Sequence, residues 1–319
     1  MLAALVAAPA GGLAAQNTTV SGRVVLGGAT GRPVVGRFVV LHRITLGDGG
    51  PVDSVRTDAT GRWRLRVPNV DTTAIYVVSA EHDSLAYFSS PLHVTPGQAN
   101  SADPLVVWDT SSTGAPIVLR RRLLTVARPK ADGSREVLEI LELENGGRTT
   151  RVAPDTLHPT WSGAIPAGAL SFAVQQSDFS PDAVFQRGER VSLFGPIQPE
   201  GPRQLSYRYV LGGSVHALAL PIDQPTEELD LLFEDTTTAV TAPGLHTMAV
   251  ETIEQRRFAR YRVDSVAAGA PVRIAFPAGR LRVESLLPYI VGLVVAALAG
   301  GLWVALKRRP QTSDVGRQS

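Results

Sequence analysis

From Arg62 to Val67 the chain reads Arg-Trp-Arg-Leu-Arg-Val, an arginine at every even position and an apolar residue at every odd one. Only an extended strand of period two sorts such a set onto opposite faces, one buried and one wet. The same grammar recurs in "TVSGRVVL", "VVGRFVVLHRIT" and "AIYVVSAEHDSLAYFSSPLHV", rich in Val, Ile, Thr, Tyr and Phe. None of these keeps the 3.6-residue spacing of an amphipathic helix. The 30 Gly and 23 Pro fall between the short apolar runs and read as turns. A chain written this way is expected to be mainly β.

The residues before the alternation look like a polar site but serve a turn. Asp58-Ala59-Thr60-Gly61 is expected to close a hairpin, because Asp58 can accept from backbone N–H groups two residues on and Gly61 can take a positive φ. Arg62, Arg64 and Arg66 then form a solvated face, and Trp63 is a core residue.

There is no cysteine, which excludes disulfides, thiolate zinc sites and Cys nucleophiles. Stability must come from packing, which a sandwich of roughly 100 residues can supply. The net charge is +2, and Lys307, Arg308, Arg309 and Arg317 against Asp314 concentrate positive charge at the very end. The rest of the chain is close to neutral and carries no electrostatic footprint for nucleic acid.

Two apolar segments set the expected address. Residues 1–15, "MLAALVAAPAGGLAA", match the apolar part and small-residue cleavage pattern of a signal peptide. Residues 286–306, "LLPYIVGLVVAALAGGLWVAL", hold no charge and would reach about 31 Å as a helix, enough to cross a bilayer. Lys307, Arg308 and Arg309 follow at once, and Tyr289 and Trp303 lie near opposite ends. The expectation is a single-pass protein of the inner or cell membrane, with residues 307–319 as a cytoplasmic tail and the remainder periplasmic. Gly292, Ala296 and Gly300 share one helix face and are the candidate packing surface for a protein partner in the membrane.

Val20, Gly22 and Val24, then Thr30, Gly31, Pro33, Val34, Gly36 and Val39, then Thr57, Asp58, Gly61 and Trp63 carry a likeness. Together they resemble the carboxypeptidase regulatory-like domain, a transthyretin-like, carbohydrate-binding-like sandwich. The resemblance covers roughly the first quarter of the chain. It implies about seven strands over 17–108, and an accessory module rather than a peptidase. Residues 109–116 are expected as a linker and 117–266 as a second β-sandwich, with "REVLEILELENGGRTTRV" closed by an Asn145-Gly146-Gly147 turn. Residues 267–285 then form a stalk. The order of charged strand, turn, Trp161 and "PIQPEGPRQLSYRYVL" resembles membrane-anchored bacterial proteins of unassigned role, and this part is left without a family.

Candidate chemistry is sparse. His42, His82, His93, His158, His216 and His246 form no metal-binding spacing, so no metal or other cofactor is expected. His82-Asp83-Ser84 has the residue types of a hydrolase triad, but sequence neighbours cannot face one another as a triad requires. Glu136, Glu139, Glu142 and Glu144, and Glu227, Glu228, Asp230, Glu234 and Asp235, read as solvated faces, with paired acids or calcium as the alternatives. Arg120, Arg121 and Arg122 cannot all point outward from a strand, so part of this run would pair with the Glu-rich strand. Trp63, Tyr76, Tyr87, Phe88, Trp108 and Trp161 could make a sugar platform, with Trp108 the best candidate for an exposed stacking ring. The expected function is a non-catalytic scaffold or assembly module at the membrane. A carbohydrate- or envelope-binding module is the alternative, and a hydrolase with its site in the second domain ranks last.

Overall fold

The computed structural model describes residues 18–28 and 31–277. The expected signal peptide, the 286–306 segment with Gly292, Ala296 and Gly300, and the 307–319 tail lie outside the described residues. Among the described residues no helix is long and apolar enough to cross a membrane. What is described is mainly β, arranged in several sheets, with a single 3₁₀ turn at Pro181–Ala183.

The first part of the chain contributes β1 (Thr19–Leu26), β2 (Phe38–Ile44), β3 (Gly49–Arg56) and β4 (Arg62–Arg66). It continues with β5 (Ile75–His82), β6 (Leu85–Phe88), β7 (Ala99–Ser101) and β8 (Leu105–Val107). One sheet runs β4-β1-β7, with β8 also on β1, and the other runs β3-β2-β5-β6. Their inward residues form one core that includes Val20, Val39, Leu41, Trp63, Leu65, Tyr76 and Val78. In β4 the alternation does what period two demands: Trp63 and Leu65 are buried while Arg62, Arg64 and Arg66 are exposed.

The Asp58–Gly61 turn is not a hairpin. β3 pairs with β2 and β4 pairs with β1, so the chain passes from one sheet to the other there. Hairpin and crossover use the same turn chemistry, which is why the local sequence does not separate them. Asp58 Oδ1 accepts from the backbone N–H groups of Thr60 and Arg62 at 2.8 and 2.9 Å. Gly61 has φ +74°, and a Cβ there would lie 2.6 Å from the Val24 carbonyl oxygen. The position therefore requires glycine twice over.

The second part begins with β9 (Thr110–Ser111), β10 (Ile117–Val126), β11 (Arg135–Asn145) and β12 (Thr150–Arg151). It goes on through β13 (Trp161–Ala164), β14 (Leu170–Val174), β15 (Val184–Arg187) and β16 (Arg190–Leu193). Then come β17 (Arg203–Leu211), β18 (Ala217–Leu220), β19 (Thr226–Phe233) and β20 (Ala239–Thr241). The last four are β21 (Leu245–Thr247), β22 (Glu251–Ile253), β23 (Arg256–Val266) and β24 (Val272–Ala275). A large sheet runs β14-β17-β11-β10-β19-β23-β21, with β22 also on β23. Two small sheets, β13-β16-β15 and β18-β24-β20, share a single core with it.

Two expected boundaries change. Residues 109–116 are not a free linker, because β9 pairs in parallel with β12. Thr150 N–H also donates to the Asp109 carbonyl at 2.8 Å. The Tyr87 hydroxyl donates to the Trp108 carbonyl and lies 3.0 Å from the Thr150 hydroxyl. The stalk expected from 267 is in its first part a strand: Val272, Ile274 and Phe276 alternate inward and join the core. That alternation stands in "PVRIAFP" and was hidden only by its short length.

Packing at β1 makes a direct prediction. A Cβ on Gly22 would stand 2.5 Å from Cζ2 of Trp63, a buried ring with nowhere to go. Gly22→Ala should lower the unfolding transition of the first core by about 1–3 kcal/mol, the usual cost of overpacking. Gly50→Ala, with nothing within 4 Å of the new methyl group, should stay within about 0.5 kcal/mol. Denaturant titration followed by tryptophan fluorescence separates the two cases.

Candidate binding site

The arginine run in β10 divides as a bulge dictates. The register with β11 shifts between Leu119 and Arg121, so Arg120 and Arg121 turn outward and Arg122 turns into the core. Arg122 Nε donates to Glu139 Oε2 at 2.8 Å, and Glu139 also accepts from Tyr207 at 3.2 Å and Tyr209 at 2.7 Å. Arg122 and Glu139 are 4% and 0% exposed. Burial works against the Arg122 charge, but the Glu139 carboxylate outweighs it and holds the guanidinium above its ordinary pKa. Burial first, and Glu139 second, push both tyrosine hydroxyls well above theirs. The carboxylate and the two phenols are thus hydrogen-bonded to one another inside the core.

On the opposite face of the same sheet, Asp230 is fully buried beneath Arg121, Arg260 and Arg262 at 2.6, 3.3 and 3.1 Å. Desolvation would raise its carboxyl, but the arginine hydrogen bonds prevail and hold it well below the usual range. Glu228 is pushed up by desolvation and by its neighbour Asp230. Arg120 joins Glu144 and Glu227, and Glu234 joins Arg128 and Arg256. Most of the acids in the two rows that could have been paired catalytic acids or calcium ligands are engaged by guanidinium groups, whereas Asp235 accepts from Thr237 instead.

The remaining candidates scatter. His93, His216 and His246 are exposed, His42 meets Ser79 at 2.8 Å, and His158 meets Asp155 at 2.8 Å. His82 comes together with Asp83 and Asp109, their ligating atoms within 4.8 Å of one another. Ser84 is not part of this group, so no triad forms. The trio does not fit a metal ion either. A metal on His82 Nε2 would leave a proton on Nδ1, which is buried without a hydrogen-bond partner. With Nε2–H donating to Asp109 Oδ1 at 2.8 Å, the group ties β5 to the start of the second part instead. Trp108 is 8% exposed and belongs to the first core, so the stacking ring expected there is a packing residue. Tyr76, Tyr87, Trp63 and Trp161 are buried as well, and Phe88, 62% exposed, is the open ring of the set.

What the sequence reading missed is a basin of about 780 Å³ on the first part of the chain. Arg23 comes from β1, Arg56 from the end of β3, and Arg62 and Arg64 from β4, with Asp58, Asp103 and the buried Trp63 among the other lining residues. Arg23 and Arg62 stand directly opposite in the β1–β4 register. Arg23 Nε reaches the Thr60 carbonyl at 2.9 Å, and Arg56 reaches the Gly36 carbonyl while lying 3.7 Å over the Phe38 ring. In this part of the chain the one arginine ion pair among the described residues is Arg43–Asp48, outside the basin. The signal was in the sequence as the odd-even arginine row. Its reading as a plain solvated face left out Arg23 and Arg56, which are brought in by long-range pairing.

Two outcomes follow for the charge networks. Glu139→Gln leaves Arg122 buried without its counter-charge and should cost about 3–5 kcal/mol, most of it recovered in Glu139→Gln/Arg122→Met. Denaturant unfolding of the single and double variants measures this. For acid, Asp230 and Glu234 titrate lower folded than unfolded, so their stabilisation is complete above an unfolded pKa of about 4 and is lost as pH falls below it. The thermal midpoint of the second core should therefore drop below about pH 4, and Asp230→Asn should flatten that drop.

No family model matches this chain, and no curated protein is similar to it. Among solved structures, a 9R-lipoxygenase from Cyanothece aligns over 30% of this chain and 17% of its own, at 13% identity and a TM-score of 0.23. An M1 zinc metallopeptidase from Deinococcus radiodurans aligns over 52% and 43%, at 9% identity and a TM-score of 0.35. The chain thus spans less than half the length of either protein, and it is a mainly β chain distantly similar to both, with no family assigned.

Proposed function

We propose that the chain is a non-catalytic interaction module held at a cell membrane by residues 286–306. In this reading two β-sandwich units stand outside the cytoplasm, the first of transthyretin-like type, and the first makes the contact. The observation that carries it is the uneven use of charge. Among the described residues the second unit engages more than half of its arginines in internal ion pairs, Arg120, Arg121, Arg122, Arg260 and Arg262 among them, though Arg135, Arg151 and Arg273 have none. The basin arginines of the first have no carboxylate partner among the described residues. Guanidinium groups left without partners beside an open basin suit binding, and no nucleophile with an adjacent base accompanies them there. Scaffold or assembly work is the role such a module would play. Recognition of the cell envelope is the second reading, favoured by the mixed guanidinium and carboxylate lining of the basin.

A photo-cross-linking amino acid at exposed Ala99 or Ala86 in the first unit, and at Val118 or Thr252 in the second, tests the reading in full-length chain in its own membrane. Covalent products should form from the first pair and be absent from the second. Products confined to positions 118 and 252, or none from any position, would refute it.

A further inference from the structure

Like charges directly opposite on paired strands repel, yet Arg23 faces Arg62 across β1 and β4 with no carboxylate bridging them. Arg64 follows Arg62 on the same face of β4, about 6.6 Å further along the strand. Its register partner on β1 is Ser21, which in turn pairs with Ser101 on β7. Trp63 lines the basin too, and its buried Nε1–H has no acceptor among the described residues. The basin therefore sets arginines along a strand with no ion pair among the described residues to Asp58 or Asp103, the two carboxylates in its lining.

Two features decide among anionic chains. Asp103 is exposed in the lining and Asp58 beside it holds a carboxylate. Both would repel a uniform phosphodiester backbone but would accept hydrogen bonds from sugar hydroxyls. Trp63 is 4% exposed, so the basin offers no ring face on which a nucleobase could stack. A ligand carrying both anionic groups and neutral hydroxyls fits where a nucleic acid does not.

We propose that this basin binds an acidic polysaccharide. Arg23, Arg62 and Arg64 take its carboxylate or phosphate groups in the forked geometry of guanidinium, and Asp103 and Ser101 take its hydroxyls. The proposal rests on the reading of the first unit as the contacting one, and it names the ligand class.

The test uses the full-length chain in lipid nanodiscs, titrated with polygalacturonate, dextran phosphate, neutral dextran and a single-stranded oligonucleotide. One of the two acidic glycans should bind, the better one telling carboxylate from phosphate, with affinity falling as salt rises and no binding of neutral dextran. Arg62→Ser/Arg64→Ser should weaken binding at least tenfold. Arg62→Lys/Arg64→Lys, which keeps the charge but loses the fork, should fall between. An unchanged circular dichroism spectrum and thermal midpoint in both variants would exclude misfolding. Equal affinity in the serine variant, failure of both acidic glycans, or tighter binding of the oligonucleotide would overturn the proposal. If both glycans fail while cross-links still form from position 99, the ligand class falls and the interaction module stands. If cross-links form only from positions 118 and 252, both fall.

Discussion

A guanidinium sealed inside a β-sheet core must find its counter-charge there, and the second part of the chain is built around that requirement. Arg122 and Glu139 sit on adjacent strands β10 and β11, and Tyr207 and Tyr209 on β17 supply the remaining hydrogen bonds. The bulge in β10 is what aims Arg122 inward. Without it, the inward place would fall to a different member of the run and the register of the large sheet would have no buried pair to fix it. A polar cluster of this kind discriminates between registers more sharply than apolar packing does, because a slip of one residue strands a charge.

The same sheet treats its outer face in a like manner, with Asp230 beneath three arginines. The second unit thus satisfies its charges on both faces of one sheet, while the first spends almost none of its arginines on ion pairs. This division of labour between a self-contained platform and a reactive-to-solvent neighbour is a property of charge placement rather than of charge number, since the chain as a whole is close to neutral.

Much of the fold was legible because period-two patterning is a short-range signal. The strand of Arg62–Arg66, the chemistry of the Asp58 turn and the fact that some member of the 120–122 run must point inward could all be read from neighbours in sequence, whereas which member does so is set by the bulge against β11. Pairing partners could not. Whether Asp58–Gly61 closes a hairpin or carries the chain between sheets depends on β1 and β2, far away in sequence. Thr110–Ser111 looked like linker because two residues cannot announce a strand. Trp108 looked exposed beside Asp109, yet its ring is buried in the first core and its carbonyl is held by Tyr87. The basin escaped for the same reason, since only the β1–β4 register sets Arg23 against Arg62.

The join between the two parts has a mechanical meaning. Tyr87, Asp83 and His82 on one side reach Asp109, Thr110 and Thr150 on the other through several bonds within a few residues. The chain between the two cores is thus tied down by hydrogen bonds from both sides, so that the connecting residues are held chain and not slack.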